Sequence, residues 1–375
     1  MAGIYIHIPF CKQKCYYCDF YSLPGYKHKS KYIDALCKEI DMRKGFFNEQ
    51  SVDTIYFGGG TPSMLYIEDI NRILTTVKRT FNVSDNAEIT FEANPEDMGY
   101  DFIPELLNIG VNRLSIGIQS FFDDDLLFMN RKHSSDDAVR CVERAASAGF
   151  NNISIDLIYG IQGLDIGKWE QNINRALSLP VQHISAYHLT IEPRTVFSHY
   201  LKRGIINVTE EEDSLEQFSL LIEKTEEAGF RQYETSNFAK EGFISRHNSS
   251  YWKQIPYLGF GPSAHSYSGS ERMWNVRSVD EYIESVNKGT IPYTGENITP
   301  DMAYNEYVIT SLRTMWGIDM NYIKQNFGDN RYTFLVNESS KFIDSRQLAI
   351  DNNKLVLTKK GQFIADNIMS DLMII

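Results

Sequence analysis

Short apolar runs rich in β-branched and aromatic residues recur through the first half of the chain, at 4–8, 54–57, 88–91, 113–118, 153–158 and 183–189, and each reads as a strand. Between them the apolar positions change to helical spacing. Ile67, Ile70, Leu74 and Val77 fall on one face, as do Ile103, Leu106 and Leu107, and Ala138, Val142 and Ala145. Strands alternating with helices imply right-handed crossovers and a parallel sheet, so the fold class expected is α/β, with six such units forming a partial, open barrel. A further helix is expected from Thr209, which pairs with Glu212 as a capping box, to Gly229 as its stop, with Leu215, Phe218, Leu221 and Ile222 as its buried stripe. The stretch 233–269 is dense in aromatic residues and glycine and too apolar for a linker. From about Arg277 the alternation stops, and helical patterns surround one strand-like segment at 355–358. The division expected is a barrel over 1–270 and a smaller, mostly helical unit over 271–375.

Composition narrows the function classes. With 375 residues, 42% hydrophobic and 23% charged, the chain has material for two cores and is not a disordered one. Its 37 basic and 49 acidic side chains leave a formal charge of -12, which argues against a sequence-independent grip on nucleic acid or on an anionic membrane face. No apolar run reaches the roughly 18 residues of a membrane span, and the first residues lack the cationic and long apolar regions of a secretory signal. Five cysteines, three of them between positions 11 and 18, suit a reducing compartment, so a cytoplasmic location is expected.

Cys11, Cys15 and Cys18 form a C-x3-C-x2-C run directly after the first strand. Three thiolates so close can wrap one face of a metal centre, and soft sulfur selects an iron–sulfur cluster, zinc or Cu(I). Three ligands on a four-iron cube leave one iron open to a further molecule. A zinc site is the other reading, with His7 or another residue as fourth ligand, although no second C-x2-C pair follows. Cys37 and Cys141 lie in helical patterns and read as buried apolar residues.

In a parallel barrel the loops after the strands' C-terminal ends build the site. The first strand leads to the cysteines, the second to Gly58, Gly59, Gly60, Thr61 and Pro62, the third to Glu92 and the fourth to Gln119, while the fifth carries Asp156. The glycine run lets backbone groups approach a ligand closely. Any one of these residues is equally at home in a turn, a cap or a solvent-facing position; their joint placement at successive strand ends points to a site.

YIHIPFCKQKCYYCDF, from Tyr5 to Phe20, resembles the cluster-binding loop of radical S-adenosylmethionine enzymes, in the branch containing the oxygen-independent coproporphyrinogen III oxidases and the HemW-type heme chaperones. The likeness covers about the first 270 residues and is looser beyond them. It implies a 4Fe-4S cluster on Cys11, Cys15 and Cys18, with S-adenosylmethionine chelating the open iron and cleaved reductively to a 5'-deoxyadenosyl radical. It also implies roles for the polar residues. Gly58, Gly59, Gly60 and Thr61 with Glu92 would receive the methionine amino group, Arg131 the carboxylate through its two-pronged guanidinium, Gln119 the ribose or carboxylate, and Asp156 the ribose hydroxyls. Tyr5 matches a family tyrosine near the cofactor, and His7 reads as support for the loop.

The oxidases of this branch carry a fourth cysteine two residues past the triplet, where this chain has Phe20, and an N-terminal extension before the cluster strand, which this chain reaches within its first residues. Both departures resemble the heme chaperones. So does HNSSYW at 247–252, similar to the HNxxYW motif associated with heme, which implies that His247 contacts heme while Tyr251 and Trp252 pack on the macrocycle or reach its propionates. Otherwise His247 is a satisfied loop histidine among core aromatics. His265, in FGPSAHSYSG, is expected near the same cavity or in a structural hydrogen bond. The function expected is a heme chaperone that binds the cluster, S-adenosylmethionine and heme as cargo. Its implied partners are acceptor hemoproteins, including membrane-bound respiratory enzymes, and an electron donor such as flavodoxin or ferredoxin; the implied assembly is a monomer or homodimer, without nucleic acid. The alternatives are oxidative decarboxylation of coproporphyrinogen III and radical chemistry on an unrelated substrate.

Overall fold

The computed structural model describes residues 1–25 and 28–374. Six parallel strands, β1 (Ala2–Ile8), β2 (Val52–Gly59), β3 (Val83–Ala93), β4 (Arg113–Gln119), β5 (Ile153–Tyr159) and β6 (His183–His188), stand side by side in chain order. All six expected strands are therefore present, most of them longer than the apolar run that announced them. The crossovers carry the helices Lys29–Met42, Ile67–Thr80, Phe102–Asn108, Ser135–Ser147 and Ile166–Ser178.

Register sorts the side chains into two faces. Tyr5 pairs with Tyr56 and Tyr56 with Thr90, Thr90 pairs with Arg113, and Glu92 pairs with Ser115. Because successive side chains alternate, these residues share the inner face with Glu88 and Asp156, while Ile4, Ile6, Ile55, Phe57, Ile89 and Phe91 lie buried on the other, beneath the helices. Each such isoleucine contributes about 1.5–3 kcal/mol of burial, and a one-residue slip would turn the whole set to the wrong side, so the register is firmly set. The result is an apolar outer layer around a polar interior.

The sheet extends further than the sequence pattern suggests. Tyr257–Phe260 pairs parallel with the free edge of β1, and His265–Tyr267, Glu271–Asn275 and Tyr293–Asn297 follow antiparallel; on the far side Asn237–Ala239 and Arg231–Glu234 continue past β6. The alternation expected to end at Arg277 continues, since strands belong to this sheet as far as Asn297 and the helix Val279–Asn287 packs on Lys29–Met42. Glu39 explains the attachment. Its fully buried carboxylate accepts from Gly261 N–H (2.9 Å), Asn275 Nδ2 (2.8 Å) and Tyr282 Oη (2.6 Å), and lies 3.3 Å from Arg43 Nε. Gly261, Asn275 and Tyr282 are more than 200 residues away in the chain, so no local pattern announces them.

A second apolar cluster begins at Tyr304 and gathers Val308, Leu312, Leu335, Leu355 and Ile368 around a small sheet of Ile318–Asp319, Lys354–Leu357 and Leu348–Asp351. The strand expected at 355–358 is the central one of these three. Among the described residues no helix is long and apolar enough to cross a membrane.

The helix expected from Thr209 begins instead at Glu211, with Glu210 as its cap and no side-chain cap bond, because Thr209 Oγ1 donates to the carbonyl of Gly160 at 2.7 Å. Its other end closes as expected. Gly229 is left-handed (φ 79), its N–H donates to Glu226 O at 3.0 Å, and Phe230 N–H reaches Thr225 O at 2.9 Å, the two bonds of a Schellman stop. Phe218 and Leu221 are buried, whereas Leu215 and Ile222 are half-buried.

Candidate functional site

The cysteine loop is fixed at both ends and from outside. Phe10–Cys11 pairs with Leu23–Pro24, Leu23 N–H donates to Pro9 O at 2.7 Å, and Gly25 N–H donates to Cys11 O at 3.0 Å. Tyr16 N–H donates to Met129 O at 3.2 Å, and Asn130, left-handed at φ 61, donates from Nδ2 to Lys14 O at 2.9 Å. The loop is therefore held by backbone bonds that do not involve the thiols. Thr61 Oγ1 donates to Cys11 Sγ at 3.3 Å, and Arg131 Nη1 approaches Cys15 Sγ at 3.5 Å. Burial pushes the Cys18 thiol up to about 11, so binding a soft cation there releases its proton.

These cysteines form one wall of a cavity of about 560 Å³ at the strands' C-terminal ends. Gly59, Gly60 and Thr61 line it on one side, and Glu92, Gln119, Arg131 and Asp156 on the other. At Gly60 an added Cβ would lie 2.6 Å from Phe10 O and 2.7 Å from Ile8 O, both backbone atoms that cannot give way. Gly58 is not on the wall. A Cβ there would come 3.0 Å from Glu92 Oε1, so its bareness makes room for that carboxylate.

The charged groups are deeply enclosed. Burial pushes Glu92 up to about 7, against the pull of the hydrogen bond it accepts from Tyr56 Oη at 2.7 Å. Burial likewise raises Asp156 to about 6, with the positive charge of Arg113 opposing. Arg131 donates from Nη2 to Asn94 Oδ1 and Gly117 O, both at 2.7 Å, which leaves its buried Nε–H without a partner among the described residues. Gln119 holds φ 71 at a register irregularity in β4, where the bulge turns its side chain toward the cavity. Three soft sulfur donors, two carboxylates and an unsatisfied guanidinium N–H together suit an iron–sulfur cluster carrying a zwitterionic amino-acid ligand.

A second cavity, of about 670 Å³, adjoins the first, and Phe20 of the cysteine loop lines both. Tyr5 belongs to this second chamber rather than to the first, stacked on Tyr56 at 6.1 Å. Tyr251, Trp252, Tyr257 and Trp274 supply aromatic wall, with His7 and His265 between them. His7 Nε2 is 3.0 Å from the carbonyl of Tyr21, which can only accept, so Nε2 carries the proton and Nδ1 accepts from Tyr5 Oη at 3.3 Å.

His247 lines neither cavity. The helix Arg246–Trp252 enters the barrel's inner face, where Glu88 accepts the N–H groups of Arg246 (3.0 Å) and His247 (2.9 Å). The His247 ring stacks on Tyr56 at 4.9 Å, with Nδ1 2.8 Å from Thr54 Oγ1 and Nε2 2.8 Å from Tyr251 Oη. Burial, with Arg113 nearby, lowers its pKa to about 3. Both ring nitrogens are thus engaged within the protein, and what the HNSSYW segment delivers to the second cavity is Tyr251 and Trp252.

Sequence reasoning also missed Asn94, which accepts from Arg131 and donates from Nδ2 to Thr61 Oγ1 at 3.3 Å, joining two walls of the first cavity. Its place two residues past Glu92 was the available signal. Arg113, buried with Nε and Nη1 unpartnered among the described residues, gave no signal beyond being a charge in an apolar run.

Residues 5–176 match the Radical SAM superfamily, and residues 298–364 match the HemN C-terminal domain. The chain is similar to the heme chaperone HemW of Bacillus subtilis, 34% identical over 372 residues that cover 98% of each chain. It is 32% identical to the heme chaperone HemW of Synechocystis sp., covering 92% of this chain and 89% of that relative. Among solved structures, coproporphyrinogen III oxidase (HemN) from Escherichia coli, a radical SAM enzyme, shares the fold with a TM-score of 0.86 at 24% identity, covering 99% of this chain and 90% of that one.

Proposed function

The chain belongs to the HemW family of the radical SAM superfamily, and from that premise we propose that it takes up heme beside an iron–sulfur centre and hands it to acceptor hemoproteins. Cys11, Cys15 and Cys18 hold the 4Fe-4S cluster; with S-adenosylmethionine on its open iron, this pair supplies one-electron chemistry when bound. Glu92 would accept from the methionine amino group, the Arg131 guanidinium would pair with the carboxylate, and Gln119 and Asp156 would take the ribose. Gly59, Gly60 and Thr61 keep one wall low enough for the ligand's close approach. We assign residues 1–297 to the barrel unit and the remainder to the smaller one. The acceptors we place among respiratory hemoproteins, the reductant among flavodoxins or ferredoxins, and the work itself in the cytoplasm.

The observation that carries this reading is the aromatic chamber of about 670 Å³ that adjoins the cysteine cavity across Phe20. Its volume lies within the roughly 300–1,000 Å³ of small-molecule sites, and flat indole and phenol walls suit a flat macrocycle. Phe20 also stands where the resemblance to the oxidases would require a fourth cysteine. The test is anaerobic titration of the reconstituted protein with heme, followed by mixing with an apo-hemoprotein. Saturable uptake and spectral transfer to the acceptor are expected. No uptake, or conversion of coproporphyrinogen III to protoporphyrinogen, overturns the proposal.

Glu92 makes the cofactor site pH-dependent. With its carboxyl held near 7, only a small fraction is ionised at pH 6 and most of it at pH 8, so S-adenosylmethionine binding through the ionised form tightens by about tenfold across that interval. Equilibrium binding of the cofactor to the reconstituted protein checks the slope, and Glu92→Gln should flatten it. An equally steep profile in the variant would assign the pH dependence elsewhere.

A further inference from the structure

Resting on the heme-binding reading above, we propose that His265 is the protein's axial ligand to heme iron in the second cavity. Two histidines line that cavity, His7 and His265. His7 has both ring nitrogens engaged, by Tyr21 O and by Tyr5 Oη, and turning it to a metal would break both bonds. His265 is exposed to the chamber, and its ring nitrogens have no hydrogen-bond partner among the described residues. It lies opposite Trp274 across two antiparallel strands, the rings 6.2 Å apart and inclined by 31°. A macrocycle coordinated at His265 would therefore have an indole within reach of its face.

Polar groups in the same chamber suit the other end of heme. Trp252 Nε1 and Ser263 Oγ both belong to the lining, are buried, and lack partners among the described residues. Buried donors without acceptors are uncommon in folded proteins, and both side chains belong to the wall of a cavity whose ligand would supply carboxylates. Arg194 and Arg277 also line it, Arg194 already 3.2 Å from Asp19. Two propionates match this set of donors, and no second macromolecule is needed to satisfy them. The phenols are poor rivals for the iron. Tyr5 donates to His7, Tyr251 is hydrogen-bonded to His247, and burial raises both well above the usual phenol range, so neither offers a phenolate.

The experiment compares the full-length protein with His265→Ala, using hemin and metal-free protoporphyrin IX as probes and resonance Raman and EPR spectra of the bound hemin. The parent should show a histidine-ligated iron. His265→Ala should lose that signature, bind hemin about tenfold or more weakly, recover the signature on addition of imidazole, and bind protoporphyrin IX as the parent does. Unchanged hemin spectrum and affinity in a folded His265→Ala protein overturn the ligand assignment while leaving heme binding standing. Loss of the signature in folded His247→Ala with its retention in His265→Ala does the same. If the parent binds neither porphyrin, the heme reading itself falls, and the two failures are thereby told apart.

Discussion

Cys15→Ala, reconstituted without oxygen in the presence of iron and sulfide, is expected to remain colourless and to hold less than about a tenth of the parent's iron, because two thiolates cannot retain a cluster built on three. The reason to expect a clean loss rather than unfolding is the way the loop is held. Tyr16 N–H on Met129 O, Asn130 Nδ2 on Lys14 O and Cys18 N–H on Cys15 O are all contacts to backbone, and alanine keeps every one. The side-chain atom removed lies 3.5 Å from Arg131 Nη1 and also bonds the Tyr17 side chain, and neither contact holds the loop's backbone. Circular dichroism should therefore match the parent while iron analysis does not. Cys141→Ala is the control: that thiol is fully buried in the helix Ser135–Ser147, away from the cavity, and its loss should cost packing and leave the colour intact. A brown, iron-replete Cys15→Ala protein would remove the basis for the whole cofactor assignment.

Glu39→Ala should lower stability by about 3–5 kcal/mol, the cost of leaving a buried cation without its carboxylate. Arg43 is 8% exposed and would keep only its 2.9 Å bond to Asn275 Oδ1 and a ring contact with Tyr293, while Gly261 N–H and Tyr282 Oη would lose an acceptor each. Urea unfolding followed by far-UV circular dichroism reads the effect as a lower midpoint. Glu39→Gln, which keeps one acceptor oxygen, should fall between the two. The damage has a direction as well as a size. Glu39 ties the helix Lys29–Met42 to the segment that carries Trp274 and Asn275, so porphyrin binding should weaken in this variant before cluster assembly does. An unchanged midpoint would mean that the outer strands are held by other contacts.

Much of the barrel was legible because each parallel strand carries short apolar stretches for the face beneath the helices, and because the chemistry of such a fold gathers where the strands end. Cys11, Cys15, Cys18, Glu92, Arg131 and Asp156 meet in one cavity for that reason alone. What the sequence concealed depends on distance along the chain. The short strands Tyr257–Phe260, which contains Gly259, and His265–Tyr267 are defined by their neighbours rather than by any period of their own. Thr209 was expected to cap a helix and instead bonds to Gly160, a partner 49 residues away that no local motif reveals. His247 stands out in the sequence, yet its bonds to Thr54 and Glu88, partners 193 and 159 residues away, have no local signal.

Because β1 is flanked by β2 on one side and by Tyr257–Phe260 on the other, it waits for a strand synthesised about 250 residues later before its hydrogen bonding is complete. The same delay holds for Glu88, whose two backbone donors arrive only with Arg246 and His247. A nascent chain stopped short of that point presents the ribosome's surroundings with an unpaired β edge and a hollow, hydrated centre. Such long-range closure slows folding and exposes the intermediate to association, so recombinant yield should respond to growth temperature and to co-expressed folding helpers more than to any surface substitution.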